Sequence, residues 1–302
     1  MNEISGVLIV NKHLGVTSHD VVGKIRRLFG TKRVGHTGTL DPMASGVLVI
    51  LVGRAAKAAE YLVCEGKRYR ATLRLGLTTD TEDTTGQILT QSNALPEADA
   101  VMETCRAFTG PIQQIPPMYS ALKVDGKKLC DLARQGVEVE RKPRAVTVYS
   151  LTCTPTDAPS DYRLEVHCSS GTYIRTLCAD IGKALGCGGV MASLERTQTD
   201  RFSIDHAHTV AELEEMTEEE RLACLIPTES LFASLPAVTL PAFYEKLCRS
   251  GCEIYQKKIR TSLPTGQRVR LCSADGSFFA LGEVRDYPDG SAIKALKLFD
   301  LG

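Results

Sequence analysis

The sequence has no net charge to lean on. Its 302 residues hold 36 Lys and Arg against 36 Asp and Glu, and with about 43% apolar content this excludes disordered and fibrous chains and leaves room for two domains. Long hydrophobic runs are also missing. The longest, Val47 to Val52, is far short of the roughly 20 residues that span a bilayer. The chain opens Met1-Asn2-Glu3-Ile4 without a basic n-region, so the expectation is a cytoplasmic protein with no membrane attachment. There is no C-x-x-C pair. The eleven cysteines, scattered from Cys64 to Cys272, read as buried thiols in a reducing compartment and not as a disulfide frame or zinc knuckle. Cys248, Cys252 and Cys272 are set aside as metal ligands because zinc sites usually show tighter spacing. Absent too are G-x-x-x-x-G-K-[ST], a complete G-x-G-x-x-G, H-E-x-x-H and G-x-S-x-G. His206-x-His208 has no Cys or carboxylate cluster beside it and reads as a solvated loop before a capped helix.

What is present is charge of both signs, kept apart. Residues 1–76 hold 12 Lys/Arg and 5 Asp/Glu, and residues 246–270 hold 7 and 1. Residues 205–230 hold 1 Lys/Arg and 8 Asp/Glu, and residues 77–120 hold 1 and 6. Two separated basic blocks point to a polyanionic partner in spite of the neutral total.

Helix and strand signals are mixed without a strict βαβ rhythm, which favours α+β over a doubly wound fold. Gly6 to Val10 has strand length, and Thr17-x-x-Asp20 opens a helix running to about Phe29. Val47 to Val52 reads as a buried strand and Arg54 to Val63 as an Ala-rich helix. From Lys67 to Leu75, Tyr69, Ala71, Leu73 and Leu75 fall on one face while Arg68, Arg70, Thr72 and Arg74 fall on the other, a strand with one basic face. Ala98 to Phe108 is helical, Pro116-Pro117 breaks the chain, and Arg144 to Cys153 and Arg163 to Cys168 alternate as strands. A helix carrying Ile174, Leu177 and Ile181 on one side stops at Gly186. Thr209-x-x-Glu212 and Thr217-x-x-Glu220 are further capping boxes. Two prolines in residues 234–241 mark a boundary, so the expected domains are 1–235 and 236–302, the second a small β-rich module turning at Asp275-Gly276 and Asp289-Gly290.

The chemistry concentrates in Gly35-His36-Thr37-Gly38-Thr39-Leu40-Asp41-Pro42-Met43-Ala44-Ser45-Gly46. Three glycines and a proline shape an irregular loop in which Asp41 is the only acid. Asp-Pro also initiates turns, and Asp41 could do no more than bond its own backbone. Arg175 weighs against that. It sits in the first turn of a helix, at the positive end of the macrodipole, and needs a carboxylate to answer it. A buried Asp–Arg pair would keep Asp41 ionised at neutral pH, and a lone charged carboxylate in a cleft can act as a nucleophile. Tyr69, on the apolar face of its strand, offers a ring on which a planar base could stack.

In this order the motifs resemble the TruB family of tRNA pseudouridine synthases. The matching pieces are Gly6-Val-Leu-Ile-Val-Asn-Lys12 with Gly15-Val-Thr-Ser18, then Val34 to Gly46, then Lys67-Arg-Tyr-Arg70 with Leu75-Gly76 and Thr79-Asp80-Thr81. They continue with Gln114 to Lys123, Ala133-Arg-Gln-Gly136 and Cys168-Ser-Ser-Gly-Thr-Tyr-Ile-Arg175. The match spans most of residues 4–235, and the G-H-T-G-x-L-D-P stretch is the specific part.

The resemblance implies a cofactor-free isomerase acting on the tRNA T-arm, converting uridine 55 of the T-loop; no metal is expected, and with no signal of homo-oligomerisation in the sequence the expectation is a monomer. It implies a pseudouridine-synthase catalytic domain with a mixed, largely antiparallel sheet, and a PUA-like RNA-binding domain. Asp41 would be the nucleophile, Tyr69 would stack on the flipped uracil and assist proton removal, and Arg175 would pair with Asp41. His36 would fill the space left in the T-loop, Leu194 would pack in the uracil pocket, and Tyr173 and Lys12 would complete the substrate-binding set. Residues 117–146 would form an RNA-gripping insertion, which the guide-dependent, dyskerin-like relatives lack. The chain departs from the family at His13, where Pro is usual, and at Leu129-Cys130, where an aromatic Tyr is common.

Overall fold

The computed structural model describes residues 4–62, 66–120, 122–124 and 126–300. Side-chain alternation and continuous apolar runs build one large sheet. Its path runs His208–Thr209, Gly6–Lys12, Ala44–Val52, Gly189–Thr199, Lys67–Leu75, Asp161–Cys168, Arg144–Pro155 and Gly110–Gln114, with Val34–Thr37 and Phe202–Ser203 attached at its sides. Two pairings are parallel, Gly6–Lys12 with His208–Thr209 and Ala44–Val52 with Gly189–Thr199, and the rest are antiparallel. This is the mixed α+β sheet that the signals indicate.

Helices cover one face. Ser18–Leu28, opened by the Thr17–Asp20 capping box, presses Val21, Val22 and Ile25 onto Leu8, Val10, Leu48 and Ile50. Ala98–Ala107 and Ile174–Ala184 close over Tyr69, Ala71, Leu73 and Leu75. The Ala44–Val52 strand is buried on both faces because Val47, Val49 and Leu51 meet a further apolar layer with Val7, Ile9 and Ala55, and so it reads as an unbroken hydrophobic run.

After the large sheet a five-stranded sheet follows, ordered Ala237–Thr239, Arg268–Cys272, Phe278–Tyr287, Gly290–Leu298, Ile254–Tyr255, with the helix Ala242–Arg249 packed on it. The two units meet through the rings of Phe232, Phe278 and Phe299, whose centroids lie 5.5 to 5.9 Å apart, and through the ion pairs Arg270–Glu229 and Lys297–Glu60.

Three expectations need correction. The Ala-rich stretch after residue 53 forms only the short 3-10 turn Gly53–Ala58, and Val63 lies outside the described residues. Gly53 adopts φ +62°, and a Cβ there would stand 1.9 Å from the Ile4 carbonyl oxygen, so the chain turns tightly against its own start. Not all cysteines are buried: Cys252 is exposed and Cys130, Cys153 and Cys224 are half-buried, while Cys64 lies outside the described residues. His206 and His208 do not form a simple loop, since His206 ends a 3-10 turn and His208 pairs with Val10 at the sheet edge. Among the described residues no helix is long and apolar enough to cross a membrane, and no group of three or more His, Cys, Asp or Glu is placed to hold a metal ion.

Candidate active site

The segment 38–43 leaves the short strand Val34–Thr37 and returns as Ala44–Val52, directly opposite it in the sheet. Its shape is fixed from outside. Ser18 Oγ donates to the Leu40 carbonyl and accepts from the Leu40 N–H, tying the middle of the loop to the first helix. Arg196 holds its base: Nε donates to Val47 O at 2.7 Å, Nη2 to Gly38 O at 2.9 Å and Nη1 to Thr39 O at 3.4 Å. This guanidinium is 1% exposed, so its charge-assisted bonds act in a low dielectric.

Asp41 stands out from the clamped loop and meets Arg175. The Arg175 Nη2 to Asp41 Oδ2 distance is 3.0 Å, with the arginine side chain 7% exposed and the aspartate side chain 40% exposed. One partner is immobilised and the other is reachable from solvent. Arg175 is fixed further by donating to Thr81 O at 3.0 Å and Tyr119 O at 2.7 Å, and its Nη1 lies 3.7 Å from Asp83. The helix Ile174–Ala184 has no acidic residue in its first turn, so the carboxylates that balance a cation at this positive helix end come from two distant loops.

Tyr69 lines the same face, 8% exposed, next to Val166 and Arg196 in register. Leu194 is level with Ala44 and Ala71 and packs against the core that contains Tyr69, together with Met43. Tyr173 precedes the Arg175 helix and is anchored by Gln114, which accepts from its N–H and donates to its carbonyl; burial raises its phenol above the ordinary range. Lys12 is fully buried and donates to His13 O and Val16 O. Burial pushes its amine down to about 8, while the Asp41 carboxylate pulls it upward. His36 is set apart on the neighbouring strand. Its ring meets His19 edge-on at 6.1 Å, its Nδ1 is buried without a partner, and burial keeps it neutral to lower pH than usual.

The arrangement offers a fixed cation, a reachable carboxylate and an aromatic wall, which suits covalent chemistry on a planar ring better than metal or phosphate-cradle chemistry. Comparison with known proteins agrees. The TruB family pseudouridylate synthase N-terminal domain matches residues 26–174, and the tRNA pseudouridylate synthase B C-terminal domain matches residues 175–233. A protein of Alkaliphilus oremlandii named tRNA pseudouridine synthase B is 42% identical over 298 residues, 98% of both chains. Its namesake in Clostridium kluyveri is 41% identical over 98% of this chain and 100% of its own. The chain belongs to the TruB family of pseudouridylate synthases. Among solved structures, a Cbf5-Nop10-Gar1 complex contains a chain 26% identical to this TruB protein, with a TM-score of 0.74 over 98% of this chain and 85% of that one.

Two residues of this TruB site escaped the sequence reading. Asp83 is 4% exposed and accepts from Thr81 Oγ1, Thr85 N–H and Thr85 Oγ1, which sets it rigidly beside Arg175. It lies two residues beyond the Thr79-Asp80-Thr81 motif, with no local pattern of its own to mark it. Arg196 closes the Ser193-Leu-Glu-Arg196 motif, yet its register opposite Gly46 depends on a pairing between strands some 150 residues apart.

Proposed function

We propose that this protein isomerises uridine 55 in the T-loop of tRNA to pseudouridine, acting as a cytoplasmic monomer without cofactor or metal. The observation that carries the reading is the Arg175–Asp41 pair, a buried guanidinium at 3.0 Å from a carboxylate that remains open to solvent. In this reading Asp41 attacks the nucleotide, the N1–C1′ bond breaks, and the uracil turns so that C5 faces the sugar. A C5–C1′ bond then forms, the C5 hydrogen leaves as a proton, N1 gains one, and the carboxylate is released unchanged. Tyr69 stacks on the flipped ring and assists removal of the C5 proton, while Leu194 and Tyr173 wall the pocket. Lys12 supports the site from behind, and His36 takes the place vacated in the T-loop. Extracting the base costs about a few kcal/mol, recovered by stacking and backbone contacts.

Residues 1–235 would be the catalytic unit and residues 236–302 a PUA-like module that grips RNA. The insertion of about 117–146, with the helix Leu129–Arg134, would close on the T-arm; Leu129, where the family commonly has tyrosine nearby, is buried at 1% exposure and serves its core. The relatives' printed name supports tRNA as the RNA.

A guide-dependent role is the second reading, favoured by the fold shared with Cbf5. The deciding experiment is release of tritium from tRNA labelled at uridine C5, in single turnover and without guide RNA, by wild type and Asp41→Asn. Release by wild type and none by the variant supports the proposal. Tight tRNA binding with no release would point to a guide-dependent subunit or an RNA chaperone.

A further inference from the structure

The segment that meets Nη1 of Arg175 contains a residue in a conformation that side chains disfavour. Glu82 has φ +61°, in the left-handed region where Cβ crowds the backbone and glycine is the usual occupant. Strain of this kind persists only where the surroundings over-determine it, and it gathers at functional sites. Here the surroundings are a strand. The Glu82 carbonyl accepts from the Met191 N–H at 3.0 Å, the Thr84 N–H donates to the Met191 carbonyl at 3.1 Å, and Asp83 bridges to Met191, so the turn is stitched to Gly189–Thr199.

The turn gives three consecutive residues different tasks. Thr81 presents its carbonyl to Arg175 Nη1 at 3.0 Å, and Asp83 brings its carboxylate to 3.7 Å from the same nitrogen. The Glu82 side chain goes to the helix itself and accepts from Thr176 Oγ1 at 2.6 Å. Thr176 follows Arg175 in the first turn of Ile174–Ala184 and is buried. One short segment therefore grips Arg175 twice, at its guanidinium through residues 81 and 83 and at its helical root through residue 82. The carboxylate is not comfortable there. Burial raises its pKa above the usual value and Asp180 adds to the rise, while the Thr176 hydroxyl, Arg175 and Arg141 pull the other way. A carboxylate favours a helix start, but an acid in the helix's own first turn would serve that purpose without strain, and the chain has none.

We infer that Glu82 is a positioning residue for the isomerisation: by accepting from Thr176 it locks segment 81–83 to the helix that carries Arg175, and so fixes the two groups that aim Arg175 at Asp41. Glu82 touches neither the substrate nor Asp41 and acts only through Arg175. The inference rests on the reading of Asp41 and Arg175 as the catalytic pair.

The test measures single-turnover tritium release from tRNA labelled at uridine C5, per folded enzyme, alongside tRNA affinity from filter binding. Glu82→Ala keeps a side chain at the strained φ and removes the acceptor; Glu82→Gly relieves the strain and removes the acceptor as well. Both should slow release by about tenfold to a hundredfold, the scale of a small misplacement of a catalytic group, with tRNA affinity unchanged. Glu82→Gln keeps an acceptor for Thr176 and should restore the rate to within about threefold of wild type. Thr176→Val, close in shape and without the hydroxyl, should be slowed like Glu82→Ala, and the double variant should be no slower than either single one, because both remove the same link. Wild-type rate in Glu82→Gly overturns the proposal, since the backbone turn would then suffice. So do additive losses in the double variant, a Glu82→Gln as slow as Glu82→Ala, or a loss of rate matched by an equal loss of tRNA affinity. No release by wild type overturns the reading of Asp41 and Arg175, and this inference with it, whereas release by wild type with every variant unimpaired overturns this inference alone.

Discussion

At the scale of single residues, the site depends on cations that are held more firmly than the acid they serve. Arg175 has two carbonyls and two carboxylates around it, so three of its four partners hold it independently of Asp41. Replacing it by Met removes the charge and leaves Asp83 buried without its cation. Arg175→Met should lower single-turnover tritium release on the order of a hundred- to a thousandfold, the usual loss for a preorganised electrostatic partner, with tRNA affinity from filter binding largely unchanged. Lys12 gives a second, independent readout. Its folded value near 8 lies below the ordinary 10.5. The buried ammonium therefore costs stability wherever both states are protonated, below about pH 8, and the cost is relieved as pH rises from there towards 10.5. Asp41 favours its charged form and Arg196 disfavours it, so the two neighbours predict opposite shifts. In ¹³C-lysine NMR titrations the Lys12 resonance should titrate at lower pH in Asp41→Asn and at higher pH in Arg196→Met. No shift in either variant would show that burial alone sets this amine. Arg175 was legible because a cation at a helix N-terminus demands an answer; Asp83 was not, because nothing local distinguishes it from Asp80.

At the scale of elements, the carboxylate is placed by the fit between the Asp41 loop and the strand that follows it. Gly46 adopts φ +102° at the start of Ala44–Val52, and a Cβ would stand 2.2 Å from the Arg196 carbonyl oxygen and 2.7 Å from its nitrogen. Only glycine allows the parallel pairing of Gly46 with Arg196, and that pairing lets the Arg196 side chain reach Gly38 and Thr39. Gly46→Ala combines backbone strain with a clash against main chain that cannot yield. It should destabilise the protein by about 3 kcal/mol or more in urea denaturation, and turnover should fall even where the variant is folded. A smaller loss with normal turnover would show that the loop is positioned without the strand pairing. Elements with a clear period were readable from sequence: Lys67–Leu75 alternates, and its apolar side is the buried one. The Ala-rich stretch after Gly53 misled because propensity favours a helix, whereas a tight backbone approach at Gly53 and packing against the C-terminal unit determine the real path.

At the scale of the whole molecule, the sequence shows where charge lies along the chain but not which charges face each other. The basic side of Lys67–Leu75 looked like a surface for polyanions. Assembly of the sheet answers much of it: Arg70 pairs with Glu195 at 2.9 Å, and Arg74 makes a two-pronged pair with Asp161 at 2.7 and 2.8 Å. Those acids arrive from strands 87 and 125 residues away, and this side of the sheet faces away from Asp41. The second basic block is partly answered as well, since Arg249 pairs with Glu245 and Arg270 with Glu229. Lys127 and Lys142 of the insertion, and Lys246, Lys258 and Arg260 of the C-terminal unit, form no ion pair among the described residues. Cations already matched to carboxylates displace few counterions when RNA binds; unmatched ones displace about one each. The logarithm of tRNA affinity should therefore fall steeply with the logarithm of salt concentration in wild type. That slope should be unchanged in Arg70→Gln and Arg74→Gln, and shallower by about 0.7 to 0.9 for each of Lys127→Gln, Lys142→Gln and Lys258→Gln that contacts phosphate. A slope reduced by the Arg70 and Arg74 variants instead would put the RNA on the face opposite Asp41, and a salt-independent affinity would remove the electrostatic account of binding altogether.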